Sequence, residues 1–148
     1  INNNFGWFLC QDGDTARAMQ LFNEAIRNPL YAAPIRPYTN AGLCALQAND
    51  LQTAEVNFLL AINADPGNTQ AIYNLSALLY RKGSYLEARK QLSNFHAQRD
   101  SVAESLWLAV RIERKLGDKV SEAGFASQLR RRFAGTPEHQ QLMQGNYD

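Results

Sequence analysis

One internal spacing constrains the fold of this chain more than any other feature of its sequence. Small and aromatic residues recur at a common offset, so that Gly6, Ala18, Phe22 and Ala25 are matched by Gly42, Ala54, Phe58 and Ala61. The steps from Ala54 to Ala88 and from Ala88 to Ala123 have nearly the same length. The chain is therefore predicted to be a row of similar units of about 34 residues.

The second unit indicates what each repeated position does. Gly42 and Ala54 are small enough for two helices to approach closely, and Phe58 fills the space beside them. Pro66 ends the second helix, because proline has no backbone N–H with which to continue it. A unit of this length with two helices is typical of the tetratricopeptide (TPR) repeat. We therefore expect an all-α chain, a TPR superhelix of antiparallel helix pairs.

Turn residues divide the chain into helices. We predict helices at about 2–11, 14–27, 36–48, 51–64, 69–82, 85–98, 102–116 and 119–133, and a short C-terminal helix at 137–144. Residues 28–37 contain three prolines and are expected to form an ordered bulge. The chain is then one TPR domain, 1–148, with repeats of about 1–34, 35–68, 69–103 and 104–137.

The two ends of the repeat row differ from its middle. The fourth repeat has Trp107 at the usual aromatic position, but Arg111 and Arg114 where small or aromatic residues belong. Such degeneracy suits a capping repeat, whose outer face meets water. The first repeat lacks its opening residues and Ile1 is not a methionine, so we expect a fragment that lacks N-terminal repeats.

The sequence carries no pattern for catalysis or for metal binding. It has no nucleophile elbow and no phosphate-binding loop, and its two histidines, His96 and His139, lack partners at zinc-ligand spacing. Each histidine is therefore expected to be exposed or to cap a helix. The net charge of +1 gives no strong field for nucleic acid or an anionic membrane. We expect no catalytic residue, no metal and no cofactor, and hence a protein-binding scaffold instead of an enzyme.

Stacked repeats leave a curved inner surface, lined by the first helix of each repeat. In the first three repeats, Arg36 and Arg81 are the only inner cations, so an acidic C-terminal peptide is not the expected ligand. Aromatic and aliphatic side chains predominate instead. We predict an apolar groove for a partner segment, formed by Trp7, Leu43, Tyr73, Tyr80, Leu108 and Ile112. The alternative is that several of these are core residues, one position away from the inner face.

The two cysteines, Cys10 and Cys44, lie one repeat length apart on the first helices of neighbouring repeats. A disulfide requires Cα atoms within about 7 Å, which is closer than most helix axes pack. The alternative is a pair of buried thiols that act as small hydrophobic groups. The residues alone leave both possibilities open.

Several segments together resemble the type IV pilus biogenesis and stability proteins called PilF or PilW. Residues 1–10 are close to that family's N-N-Y-G-x-F-L-C run, with Phe5 in place of the tyrosine. The other matching segments are 28–31, Asn40-x-Gly42-x-Cys44, 106–108, Gly117-Asp118, Gln128-Leu129-Arg130-x-x-Phe133 and 136–138. The similarity extends over nearly the whole chain.

The resemblance implies a lipoprotein on the periplasmic face of the outer membrane of a Gram-negative bacterium. Such proteins act as pilotins, which help the secretin subunit reach the outer membrane and assemble there. The lipidated cysteine would lie upstream of Ile1, so the membrane would be reached only through that anchor. An oxidising periplasm favours a bridge between Cys10 and Cys44. The alternatives are another periplasmic TPR adaptor in envelope assembly, or a TPR subunit that recruits an enzyme.

Overall fold

The computed structural model describes Cys10 and residues 15–27 and 35–148, and all the regular secondary structure of this part is helical. Its eight helices confirm the predicted all-α fold, and their ends fall within one residue of the predicted ones. They are α1 (Thr15–Arg27), α2 (Ile35–Gln47), α3 (Leu51–Ala64), α4 (Thr69–Arg81), α5 (Tyr85–Gln98), α6 (Ala103–Leu116), α7 (Lys119–Arg132) and α8 (Pro137–Gln144). The predicted helix 2–11, apart from Cys10, and residues 28–34 of the predicted bulge lie outside the described residues. None of the described helices combines the length and apolarity needed to cross a membrane.

The chain divides into two compact units, Ile1–Leu75 and Ser76–Asp148. The boundary falls inside α4, in the middle of the third predicted repeat. The assignment of all 148 residues to a single domain, and of the chain to a fragment with further N-terminal repeats, therefore stays a prediction.

The core of the first unit is built from the repeated small residues and from the aromatic rings between them. Ala18, Phe22, Ala54 and Phe58 are all fully buried, as their common offset predicts. A Cβ atom placed on Gly42 would lie 2.5 Å from Cε1 of Phe58, which is closer than atoms can pack. The glycine of α2 is thus what allows the ring on α3 to lie against its backbone.

The second unit replaces this glycine with a serine. Ser76 occupies the same repeat position as Gly42 and is fully buried. Its hydroxyl donates a hydrogen bond of 2.8 Å to the backbone carbonyl of Ala88 on α5, which is also fully buried. The polar group is therefore satisfied inside the helix contact, and the small residues of the repeat keep their predicted place.

The fourth repeat departs from the predicted period. Ala123, which was expected at the small packing position of α7, is exposed. The buried residues of this helix are Ala126 and Leu129, which occupy the repeat positions of Leu92 and Phe95 on α5. The prediction that Ala123 repeats the packing position of Ala88 is thus wrong. Helix α7 instead faces the core with Ala126 and Leu129, which lie three and six positions after Ala123.

Helix α8 completes this end of the chain. The hydrophobic cluster of α6 and α7, which includes Leu106 and Val110, is covered in part by Leu142 of α8. Thr136 caps α8 by accepting a hydrogen bond from the backbone N–H of His139, and Pro137 occupies its first position, as predicted. The extra helix shields apolar surface that a further repeat would otherwise cover.

Candidate partner-binding surface

The first unit holds three of the six residues predicted for the groove. Leu43 on α2 and Tyr73 on α4 are both half-buried, so each keeps part of its side chain at the surface. Trp7 lies outside the described residues. Leu43 and Tyr73 are therefore not fully enclosed in the core, and their place in a groove stays a prediction.

The second unit corrects two of the predicted groove residues. Leu108 is 1% exposed and Ile112 is 0% exposed, so neither can line a groove. Helix α6 packs against α5, α7 and α8, and most of its circumference is buried. Arg111, one position before Ile112, is the residue that approaches Tyr80, and its guanidinium carbon also lies near the Trp107 ring. Leu108 and Ile112 are therefore core residues, as the alternative stated. A shift by one position gives a surface residue only for Ile112, because Trp107 is itself buried.

Tyr80, the third groove residue of this unit, is half-buried beside a cation. The guanidinium carbon of Arg111 lies 5.3 Å from the centroid of the Tyr80 ring and 5.3 Å from that of Trp107. Burial raises the pKa of the Tyr80 phenol, although the positive charges of Arg111 and Lys115 act in the opposite direction. The phenol therefore stays protonated at neutral pH and can donate a hydrogen bond.

Arg111 was not predicted to belong to this surface. The sequence marks it only as a departure from the repeat pattern. That departure was the available signal, because a cation at a position of small or aromatic residues cannot enter the core unpaired. It must reach the surface, where a partner can contact it.

A polar depression in the first unit has a structural role. It has a volume of about 350 Å³ and lies where α2 meets the start of α4. The Asn68 side chain donates a hydrogen bond of 3.0 Å to the Thr39 hydroxyl and accepts one of 3.1 Å from the Ala71 backbone N–H. These bonds fix the start of α4 against α2, and so position the Tyr73 side chain on that helix.

The cysteines meet in the core of the first unit. Cys10 and Cys44 are joined in the structure by a disulfide, with Cα atoms 5.5 Å apart, and both residues are buried beside Ala18, Phe22 and Ala41. This Cα separation lies within the range of native disulfides. The state of the cysteines in the native compartment stays a prediction.

The two histidines have different environments. His96 on α5 is half-buried, and its Nε2 lies 2.9 Å from the Ser105 hydroxyl on α6, so the expectation of an exposed or capping residue is wrong. It lines a cavity of about 20 Å³ with Arg89 and Glu113, which has room for one water molecule. His139 accepts a hydrogen bond from the Gly135 backbone N–H through Nδ1. Within the described ranges, no cluster of His, Cys, Asp or Glu side chains could hold a metal ion.

Paired helices with small residues at their contacts define this chain as a TPR protein. No family model matches it. The structure named YrrB, a TPR protein with an unusual peptide-binding site, shares this fold with a TM-score of 0.68. It is 12% identical, and the match covers 97% of this chain and 90% of that one, so the likeness shows the fold alone.

Two more similar proteins are type IV pilus factors. The chain is 28% identical over 142 residues to the type IV pilus assembly protein PilF of Pseudomonas aeruginosa, a match that covers 96% of this chain and 56% of PilF. The solved PilF structure has a TM-score of 0.82 at 27% identity, covering 97% of this chain and 65% of that one. PilW, described as a widely conserved type IV pilus biogenesis factor, has a TM-score of 0.88 at 26% identity over 96% of this chain and 66% of that one.

These likenesses confirm the TPR fold and the resemblance to PilF and PilW. The chain spans a little over half the length of the curated relative.

Proposed function

We propose that this chain is a protein-binding scaffold, without catalytic activity, that serves type IV pilus biogenesis. The observation that carries the proposal is the similarity in sequence and structure to PilF over nearly the whole chain. Half-buried Leu43, Tyr73 and Tyr80 support it, because side chains of this kind bind partner segments when part of their surface stays open.

The finer part of the proposal is a pilotin role. The scaffold binds a sticky segment of the secretin subunit during its transit through the periplasm and so prevents its aggregation. A lipid anchor upstream of the chain directs the complex to the periplasmic face of the outer membrane, where the secretin ring assembles. Leu43, Tyr73 and Tyr80 provide the contact, together with Trp7.

Secretin assembly in cells tests this role. The gene is deleted in its piliated host, and outer-membrane fractions are analysed for secretin multimers. We expect the deletion to reduce the multimers at the outer membrane and the full-length protein to restore them. A full-length protein with Leu43→Ala and Tyr80→Ala should restore them poorly, although it is present at the normal level. Normal secretin multimers in the deletion strain would exclude the pilotin role and favour a different envelope adaptor.

A further inference from the structure

The unit 76–148 has a second surface feature, which is lined by charged residues and not by the apolar residues predicted for the groove. It is an open pocket of about 450 Å³, which we call the cationic pocket. Its walls are the helix residues Tyr80, Arg111, Arg114 and Lys115 and the C-terminal tail, Gly145, Asn146, Tyr147 and Asp148. Three of these side chains are positively charged and one is negatively charged.

The arginines of the cationic pocket lie beside aromatic rings. The Arg111 guanidinium lies against the rings of Tyr80 and Trp107, and the Arg114 guanidinium carbon lies 3.9 Å from the centroid of the Tyr147 ring. A guanidinium attracted to an aromatic ring can still donate N–H groups to the two oxygens of a carboxylate.

The positive charge of the cationic pocket is mostly unpaired. Arg114 lies 3.3 Å from the Glu122 carboxylate. Arg111 uses its Nε for the Trp107 backbone carbonyl at 3.4 Å, which leaves both terminal nitrogens to other acceptors. Among the residues that the structure describes, neither Arg111 nor Lys115 forms an ion pair. A carboxylate that entered between them would meet two uncommitted cations.

The chain's own tail shows which kind of segment this surface accepts. Tyr147 stacks on Trp107 with ring centroids 5.6 Å apart and an interplanar angle of 26°. The next residue, Asp148, lines the cationic pocket, and its negative charge raises the pKa of Tyr80. An aromatic residue in contact with Arg114, followed directly by an acid that lines the cationic pocket, is thus already present in the chain.

We propose that the cationic pocket binds an acidic side chain of an extended partner segment in which an aromatic residue directly precedes the acid. Asp148 competes within the molecule for the same cations. The expectation that an acidic C-terminal peptide is not the ligand rested on the first three repeats, whereas these cations belong to the fourth. The inference rests on one part of the proposed function, namely that the chain binds a protein.

Two capped synthetic peptides test the proposal. One has a tyrosine followed by an aspartate between glycines, and the other has asparagine in place of the aspartate. Binding to the whole chain is measured by isothermal titration calorimetry at low and at high salt. We expect the aspartate peptide to bind about tenfold more tightly at low salt, because a hydrogen-bonded charge pair is lost in the other peptide. This preference should shrink as salt screens the charges.

Three variants locate the site. Arg111→Gln should weaken binding of the aspartate peptide by about tenfold. Asp148→Asn should strengthen it by about two- to threefold, because an exposed competing charge is removed. Arg130→Gln is the matched control, since Arg130 is exposed on α7 and does not line the pocket, and it should leave the affinity unchanged. Circular dichroism melting shows whether each variant is folded.

Equal affinity for the two peptides, no binding at millimolar concentration, or full binding by a folded Arg111→Gln chain would each overturn the proposal. A purified secretin subunit, as a second ligand, separates this inference from the pilotin role. If the peptide binds as expected and the subunit does not, the cationic pocket stands and the pilotin role fails. If the subunit binds the wild-type and Arg111→Gln chains equally, the cationic pocket has no part in secretin recognition.

Discussion

Gly42 is a residue at which two helices of the first unit, α2 and α3, approach closely. The Phe58 ring occupies the space in which a Cβ atom would lie. Because a glycine and a phenylalanine recur at the same offset in the preceding repeat, the sequence alone predicts this contact.

Substitution of Gly42 by alanine tests this packing. Gly42→Ala should lower the free energy of unfolding by about 1–3 kcal/mol, since the added methyl group forces the Phe58 ring to move. Gly124 lies in the interior of α7 with open space around it, so Gly124→Ala should raise the free energy of unfolding by about 0.5–1 kcal/mol. Urea denaturation of the two variants measures both effects. Equal effects of the same sign would show that helix propensity, and not the Phe58 contact, decides the outcome.

His96 should make the stability depend on pH. Burial lowers the pKa of His96 below its ordinary value of 6.5, so the unfolded chain takes up a proton before the folded chain does. Above 6.5 both states are neutral at this residue, and the stability falls as the pH drops below that value. Arg89 and Glu113 line the same cavity and form an ion pair with each other.

We expect a His96→Gln chain to lose less stability than the wild type between about pH 7.5 and pH 5.5, a range that brackets the histidine titration. Urea denaturation at the two pH values measures the difference. An identical pH dependence of both chains would show that His96 does not contribute.

Between elements, an ion pair with a buried carboxylate joins α5 to α6. Glu113 is 4% exposed and occupies the same repeat position as Ala45 and Leu79, which are apolar. Arg89 donates a hydrogen bond from Nε to Glu113 Oε2 at 3.0 Å and a second one from Nη2 to Oε1. The carboxylate is therefore compensated inside the helix contact.

Removal of the Arg89 side chain should show how much an unpaired Glu113 carboxylate destabilises the fold. Arg89→Ala is expected to lower the free energy of unfolding by about 1–3 kcal/mol, because Glu113 is left without its hydrogen-bond donor. Lys90→Ala removes the same charge from an exposed neighbour and should change it by less than about 0.5 kcal/mol. Chemical denaturation compares the two, and equal losses would mean that only the net charge matters.

Helix α6 also shows where sequence reasoning reaches its limit. Turn residues predicted its ends to within one residue, but the assignment of inner-face positions placed Leu108 and Ile112 at the surface. A helix that is covered by α5, α7 and α8 has no broad polar face, so its pattern does not reveal which residues line the remaining opening. Ala123 was misplaced for a related reason, because the fourth repeat retains too few small residues to fix the register of α7.

For the molecule as a whole, the bond between Cys10 and Cys44 ties residue 10 to α2 and closes a long loop. We expect the protein from its native compartment to contain no free thiol and to gain two after reduction. Thiol labelling followed by mass spectrometry measures this. Reduction should lower the free energy of unfolding by about 2–4 kcal/mol, because the unfolded chain regains its freedom.

The double variant Cys10→Ser, Cys44→Ser is the control for this experiment, since its stability should not respond to the reductant. Two labelled thiols in the unreduced protein would show that the cysteines are free.

Binding of the purified chain to the purified, soluble secretin subunit is the most direct test of a TPR scaffold that recognises this partner. Biolayer interferometry should show saturable binding that Leu43→Ala and Tyr80→Ala together weaken at least about tenfold, as expected for anchor residues of an interface. Val120→Ala, at a site that is 86% exposed on α7, should bind like the wild type. No saturable binding by the folded chain, or equal binding by all variants, would contradict the proposed recognition of the secretin through this surface.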